Sequence, residues 1–281
     1  MGFFLTGDKV FYFSIQLHPQ MFKQPKPIIG MLHCPALPGS PNYANSLENI
    51  YQFVLNDASA LAAGGVDALM IENYGDLPFF PDSVPSPTVA CLASIARKIK
   101  KSFSLPLGIN VLRNDGISAL AIANAARAQF VRINILTGAR LTDQGIINGK
   151  AHEVLRFRNR IGARTVQIFA DISVKYSSPL APRHLKNEIE ETVHRSGADG
   201  LIVSGEATGK PVDLKTLQEV KTFCEGKPIW IGSGANSQNI LELSQYADGF
   251  IIGSAFKPSL DAPIEVNRVK EICSKLNRSA Q

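Results

Sequence analysis

Cysteine is sparse and scattered in this chain. Cys34, Cys91, Cys224 and Cys273 are far apart and no C-x-x-C pair occurs. That spacing argues against a zinc ribbon or a redox dithiol. Reduced thiols in an intracellular protein are the expectation. No apolar run approaches the roughly 20 residues of a membrane helix, so any membrane contact would be peripheral. Charge is also scarce: Asp, Glu, Lys and Arg make up 19% of the residues, and the net charge of +5 is spread without a basic block. A helix would fan out Arg156, Arg158 and Arg160, so nucleic acid is not an expected partner.

What is present is enough apolar material, 45% of 281 residues, for one large core. The first 26 residues stand apart, with one acid, three lysines and interspersed aromatics. They read as a leader. Low acidity suits a mitochondrial transit peptide, and the absence of Arg counts against one. "MGFFLT" fits a loose myristoylation pattern, which bulky Phe3 disfavours. The expected location is mitochondrial if the leader targets and cytoplasmic otherwise.

From Pro27 onward one phrase recurs, in which a helical stretch ends near Gly and Asp and an apolar run follows. "GGVDALMIEN", "RSGADGLIVSG" and "YADGFIIGS" are the clear copies. "RIGARTVQIFAD" and "ARAQFVRIN" are looser, and "PIIGMLH", "PLGINV" and "PIWIGS" complete eight strands. The runs scarcely alternate, as buried parallel strands should not. Helical patterns separate them, the first opening on the candidate cap Ser46. Eight strand–helix repeats in residues 27–281 predict a single-domain (β/α)8 barrel of the TIM type. A doubly wound open sheet is the alternative. It would need a Gly-rich loop after the first strand, and "GMLHCPALPGSPNY" is not one.

In such a barrel the residues at the strand carboxyl ends form the active face. Here they are His33; Glu72 and Asn73, with Asp76 beyond; Asn110, Arg113, Asn114 and Asp115; Arg132 and Asn134; Asp171, then Lys175; Ser204; Ser233; and Ser254. Asp67, Asp199 and Asp248 precede strands and are assigned to the opposite, stabilising face. Each polar residue taken singly is a cap or a satisfied core group; together they predict a site. His33, Glu72, Arg113, Asp115, Asp171 and Lys175 are its candidate catalytic groups. Arg113 is expected to hold Asp115 opposite Glu72 and Asp171, giving an acid and a base, or oxygen ligands for a divalent cation. Lys175 would stabilise an anion or form a Schiff base. Asn73, Asn110, Asn134 and Ser204 are candidate substrate contacts. The Gly-Ser loops after the last two strands, with Gly232, Ser233, Gly234, Gly253 and Ser254, predict a phosphate cradle, which Lys257 would charge and "SGEATG" would complete. A small anionic ligand is therefore the expected partner. The oligomeric state is not fixed by the sequence, and self-association stays open.

"GMLHCPALPGSPNY", "IENYGDLPF", "GINVLRND", "FVRINILTGARLTDQGIINGKAHEVLRFR", "ADISVKY" and the later "IGSG" with Asn resemble the BtpA/SgcQ family from about Pro27 to Leu276. The resemblance implies a barrel. The family takes its name from a membrane-associated factor for photosystem I accumulation, while other members sit in sugar-related operons and carry nucleosidase labels. It therefore implies either an enzyme on a phosphorylated, sugar- or nucleoside-like substrate (a lyase or hydrolase) or a non-catalytic assembly factor. Tyr176 stands where relatives tend to have His, and Ser204-Gly205 where they tend to have Thr-Gly.

Overall fold

The computed structural model describes residues 21–44, 46–205 and 212–276. Eight parallel strands close into a barrel: β1 (Ile28–His33), β2 (Ala68–Glu72), β3 (Leu107–Asn110), β4 (Phe130–Ile133), β7 (Gln167–Ile172), β9 (Gly200–Val203), β10 (Ile229–Ile231) and β11 (Gly249–Ile252). Each is paired with its chain neighbour in the barrel, and β11 returns to β1. The open-sheet alternative is thereby set aside. Helices α1 (Leu47–Gly64), α2 (Ser86–Ser102), α3 (Gly116–Ala126), α4 (Ala151–Arg160), α5 (Leu185–Glu190), α6 (Leu214–Phe223), α7 (Ile240–Leu243) and α8 (Val266–Lys275) alternate with them.

The recurring Gly-x-Asp phrase has a local explanation. Gly65, with φ of 91°, ends α1 in the left-handed region. Two residues on, Asp67 accepts a hydrogen bond from the Ile28 N–H of the adjacent strand. Asp199 does the same for Ile168, and Asp248 for Ile229. Each acid satisfies an N–H at the start of a neighbouring strand, which puts it on the stabilising face.

Along every strand the side chains alternate between the helices and the barrel interior. The interior is filled by Ile29, Met31, Ala68, Met70, Phe130, Phe169, Ile202, Trp230 and Ile251. Phe130, Phe169 and Trp230 stack in sequence, with centroids 5.1 Å apart in both pairs. Glycines make room for them: a Cβ on Gly249 would lie 2.3 Å from the Trp230 ring, and one on Gly108 2.1 Å from Phe130. Phe22 seals the floor, its ring 5.2 Å from Trp230, and Met21 packs beside it. The leader boundary drawn at Pro27 therefore falls inside packed structure. The remainder of the leader, with its targeting and myristoylation readings, lies outside the described residues.

One element has no counterpart in the sequence reading. Strands β5 (Ala139–Thr142), β6 (Gly145–Asn148) and β8 (Ser177–Pro179) form an antiparallel sheet in the order β6-β5-β8. It joins the loops after β4 and β7 and rests Ile147 on Ile135 and Val174. Short strands in "LTGARLTDQGIING" carry too little apolar alternation to stand out from a loop.

Candidate active site

Two residues beyond the filled interior of each strand, the same inward face comes up polar or empty. His33 follows Met31, Glu72 follows Met70, Arg132 follows Phe130, Asp171 follows Phe169 and Ser204 follows Ile202. Asn110, Gly232 and Gly253 complete this last layer. It is the floor of the carboxyl-end mouth, and sequence reasoning identified all but one of its members. The exception is Arg132, to which the sequence assigns no role. Its signal was a charge inside "FVRIN", which no buried strand tolerates unpaired.

Arg132 and Asp171 form the mouth's fixed centre. Nε donates to Oδ1 at 2.8 Å and Nη2 to Oδ2 at 2.7 Å, with both side chains almost fully buried. Burial opposes the guanidinium charge, but Asp171 and Glu72 more than offset it and raise the Arg132 pKa. Asn134 donates to Asp171 Oδ2 at 3.0 Å, and Asn110 donates to the Arg132 carbonyl at 3.1 Å. Asp171 thus accepts three hydrogen bonds and is committed to holding Arg132.

Around that centre lie the less committed groups. His33 Nε2 is 3.8 Å from Glu72 Oε1, and its ring lies 4.7 Å from that of Tyr74. Burial, and then the charges of Lys257, Lys175 and Arg132, push the His33 pKa down to about 3. The imidazole is neutral at ordinary pH, and among the described residues its buried Nδ1 has no hydrogen-bond partner. Arg113 donates from Nη2 to the Lys175 carbonyl at 2.6 Å. Burial lowers the Lys175 pKa, and Arg132 and Arg113 add to the effect against the pull of Glu72 and Asp171. Among the described residues the Lys175 ammonium makes no hydrogen bond or ion pair.

Two hollows share these groups. A recess of about 30 Å3 is bounded by His33, Glu72, Arg132, Lys175 and residues 232–235 and 251–254. Gly232 and Gly253 are glycine partly for their neighbours: a Cβ would lie 2.6 Å from Ser204 Oγ at the first and 2.6 Å from His33 Cε1 at the second. Ser233 accepts from the Gly205 N–H at 3.1 Å, tying two loops together. Gly234 needs its left-handed φ of 78°. Beside the recess is a cavity of about 380 Å3, walled by Tyr74, Leu77, Phe79, Leu112 and Tyr176, with Arg113, Asn134 and Asp143 among its polar groups. Glu72 and Lys175 line both hollows. The aromatic wall was missed, because its residues sit in loops without periodicity.

Several expectations need correction in geometry. Asp115 does not face Glu72 and Asp171. It caps α3, with Oδ1 accepting from Ser118 N–H at 2.8 Å and Oδ2 from Val84 N–H at 2.9 Å. Arg113 forms no ion pair with it: its guanidinium reaches the Lys175 carbonyl, while the Asp115 carboxylate is turned to the start of α3. Among the described residues no group of three His, Cys, Asp or Glu side chains could hold a metal. Glu72, Asp115 and Asp171 in particular are not brought together. Asn73 bonds Leu112 through N–H and C=O, and Asn114 bonds Ile135 the same way, so both staple loops. Lys257 is buried against Asp57 of α1 at 3.3 Å and does not charge the cradle directly. Most of "SGEATG" lies outside the described residues.

The family model for the BtpA family matches residues 24–278. The chain belongs to the BtpA family. It is 42% identical over 238 residues to the photosystem I biogenesis protein BtpA of Synechocystis, covering 85% of this chain and 83% of that one. A mitochondrial protein of Caenorhabditis elegans is 32% identical over 236 residues, covering 82% and 84%. The solved phosphoribosyl anthranilate isomerase of Thermus thermophilus superposes with a TM-score of 0.55 at 12% identity, covering 89% of this chain and 98% of that one. This last likeness shows the shared TIM-barrel fold. Among the described residues no helix is long and apolar enough to cross a membrane.

Proposed function

We propose that this BtpA-family barrel is an enzyme acting on a small phosphorylated, sugar- or nucleoside-like substrate. The observation that carries the reading is the recess that Arg132 and Lys175 share with the two Gly-Ser loops. Two cationic side chains facing glycine-rich loops suit a phosphate. The adjoining cavity, within the usual size range for ligand sites, offers aromatic walls to the rest of the molecule. Glu72 and Lys175 stand where the two hollows meet, opposite the bond that joins phosphate-bearing end to body. Glu72 takes and returns a proton, Lys175 and Arg113 stabilise negative charge, and neutral His33 contributes a hydrogen bond. Support of a weaker kind comes from the phosphoribosyl substrate named in the superposed isomerase.

Thermal melts with ribose 5-phosphate, inorganic phosphate and ribose test this. Both phosphates should raise the melting temperature and ribose should not. Equal shifts for all three, or no shift for any, would overturn the reading.

An assembly role is the second reading, suggested by the name of the cyanobacterial relative. It is favoured by Leu141 and Ile146, cross-strand neighbours left 51% and 57% exposed on the small sheet. It gives no use to the charges buried in the mouth, whose desolvation is costly. The leader fits mitochondrial targeting in view of the nematode relative's name; recovery of an intact Met1 from mitochondria-bearing cells would refute that.

A further inference from the structure

We infer that Lys175 is a covalent amine, forming a Schiff base with the carbonyl carbon of a phosphorylated ketone or aldehyde. The inference rests on the phosphate-substrate reading above and narrows it to carbonyl compounds. Three features of the mouth carry it.

The first is position. Lys175 follows β7 and lines both the anion recess and the aromatic cavity, as Glu72 does. A carbonyl one or two bonds from a seated phosphate would lie between them. The second is commitment. Arg132 is locked to Asp171 and Arg113 donates to the Lys175 carbonyl, whereas the Lys175 ammonium has no partner among the described residues. The recess already has a fixed cation, so Lys175 is the one that can change partners. The third is its setting. Burial, helped by the Arg132 and Arg113 charges and opposed by Glu72 and Asp171, shifts the lysine toward its neutral, nucleophilic form.

The step balances without any outside oxidant or reductant. Glu72 removes one proton from the ammonium, and the freed nitrogen lone pair adds to the carbonyl carbon. A second proton passes from nitrogen to the carbonyl oxygen, giving a carbinolamine. Glu72 returns the first proton to that oxygen, which leaves as water while nitrogen forms the C=N bond. The product is a protonated imine with its positive charge beside Glu72.

Borohydride trapping tests the inference. The full chain is incubated with dihydroxyacetone phosphate, reduced with borohydride, and examined by intact mass and by peptide mapping. About one adduct per chain should form, on Lys175, and excess inorganic phosphate should suppress it. Lys175→Arg keeps the charge but cannot form the imine, so it should lose the adduct. If phosphates raise the melting temperature but adducts are absent or scattered over exposed lysines such as Lys98 and Lys186, the Schiff base is overturned and the phosphate-enzyme reading survives. If neither phosphate nor dihydroxyacetone phosphate shifts the melt, and no adduct forms, both fail together.

Discussion

Arg132 and Asp171 illustrate how the mouth separates paired from unpaired charge. Their bidentate contact is buried, so each ion depends on the other for the solvation it has lost. Asp171→Asn keeps the shape and removes the compensating charge. Denaturant unfolding should show a loss of about 3–5 kcal/mol, the usual result of orphaning one member of a buried pair. A loss below about 1 kcal/mol would mean that water reaches the pair as at an exposed site. His33 gives a pH-dependent counterpart. Its folded pKa of about 3 lies below the ordinary histidine value, so on acidification the unfolded chain takes up the proton first. Stability is therefore lost as pH falls from about 6.5 toward 3, by up to about 1.4 kcal/mol per pH unit from this group. Unfolding curves at several pH values should show that slope in the wild type and a shallower one in His33→Asn. Identical slopes would mean that the imidazole is solvated and titrates normally.

At the scale of elements, the barrel depends on glycine opposite aromatic rings. A Cβ at position 249 would meet the Trp230 ring at 2.3 Å, a distance that forces ring or strand to move. Gly249→Ala should cost about 1–3 kcal/mol by overpacking, and near-ultraviolet circular dichroism of the one Trp should change with it. An unchanged melt would show that the stack has slack. The turn after β3 is the element where sequence reading went furthest astray. "LRND" looked like a cluster of site groups, and its residues do divide among different tasks. Arg113 enters the cavity, Asn114 staples a loop and Asp115 caps α3. Such a division depends on backbone direction over three residues, which residue type does not reveal.

For the whole molecule, the two ends of the barrel are closed by different means. The small β6-β5-β8 sheet overhangs the mouth, while Met21 and Phe22 plug the floor. A chain beginning at Lys23 should therefore be less stable than one beginning at Met21. The difference should be about 1–3 kcal/mol, the worth of partly burying two such side chains. Equal melting temperatures for the two would make the plug incidental.

The sequence by itself determined the eight strands, their order of polar endings and the family. Strand burial writes itself as unbroken apolar runs, and a barrel sends every strand's carboxyl end to one face. Seven of the eight inward residues of the mouth were legible for that reason. Only the tertiary structure decided which of them are spent on one another. Asp171 is occupied by Arg132 and Asn134, Lys257 by Asp57, and Asp115 by backbone N–H groups, whereas the Lys175 ammonium has no partner among the described residues. Partnership between side chains tens of residues apart depends on distances of a few ångströms, and those are set by strand register and loop path. A linear pattern of residue types carries neither.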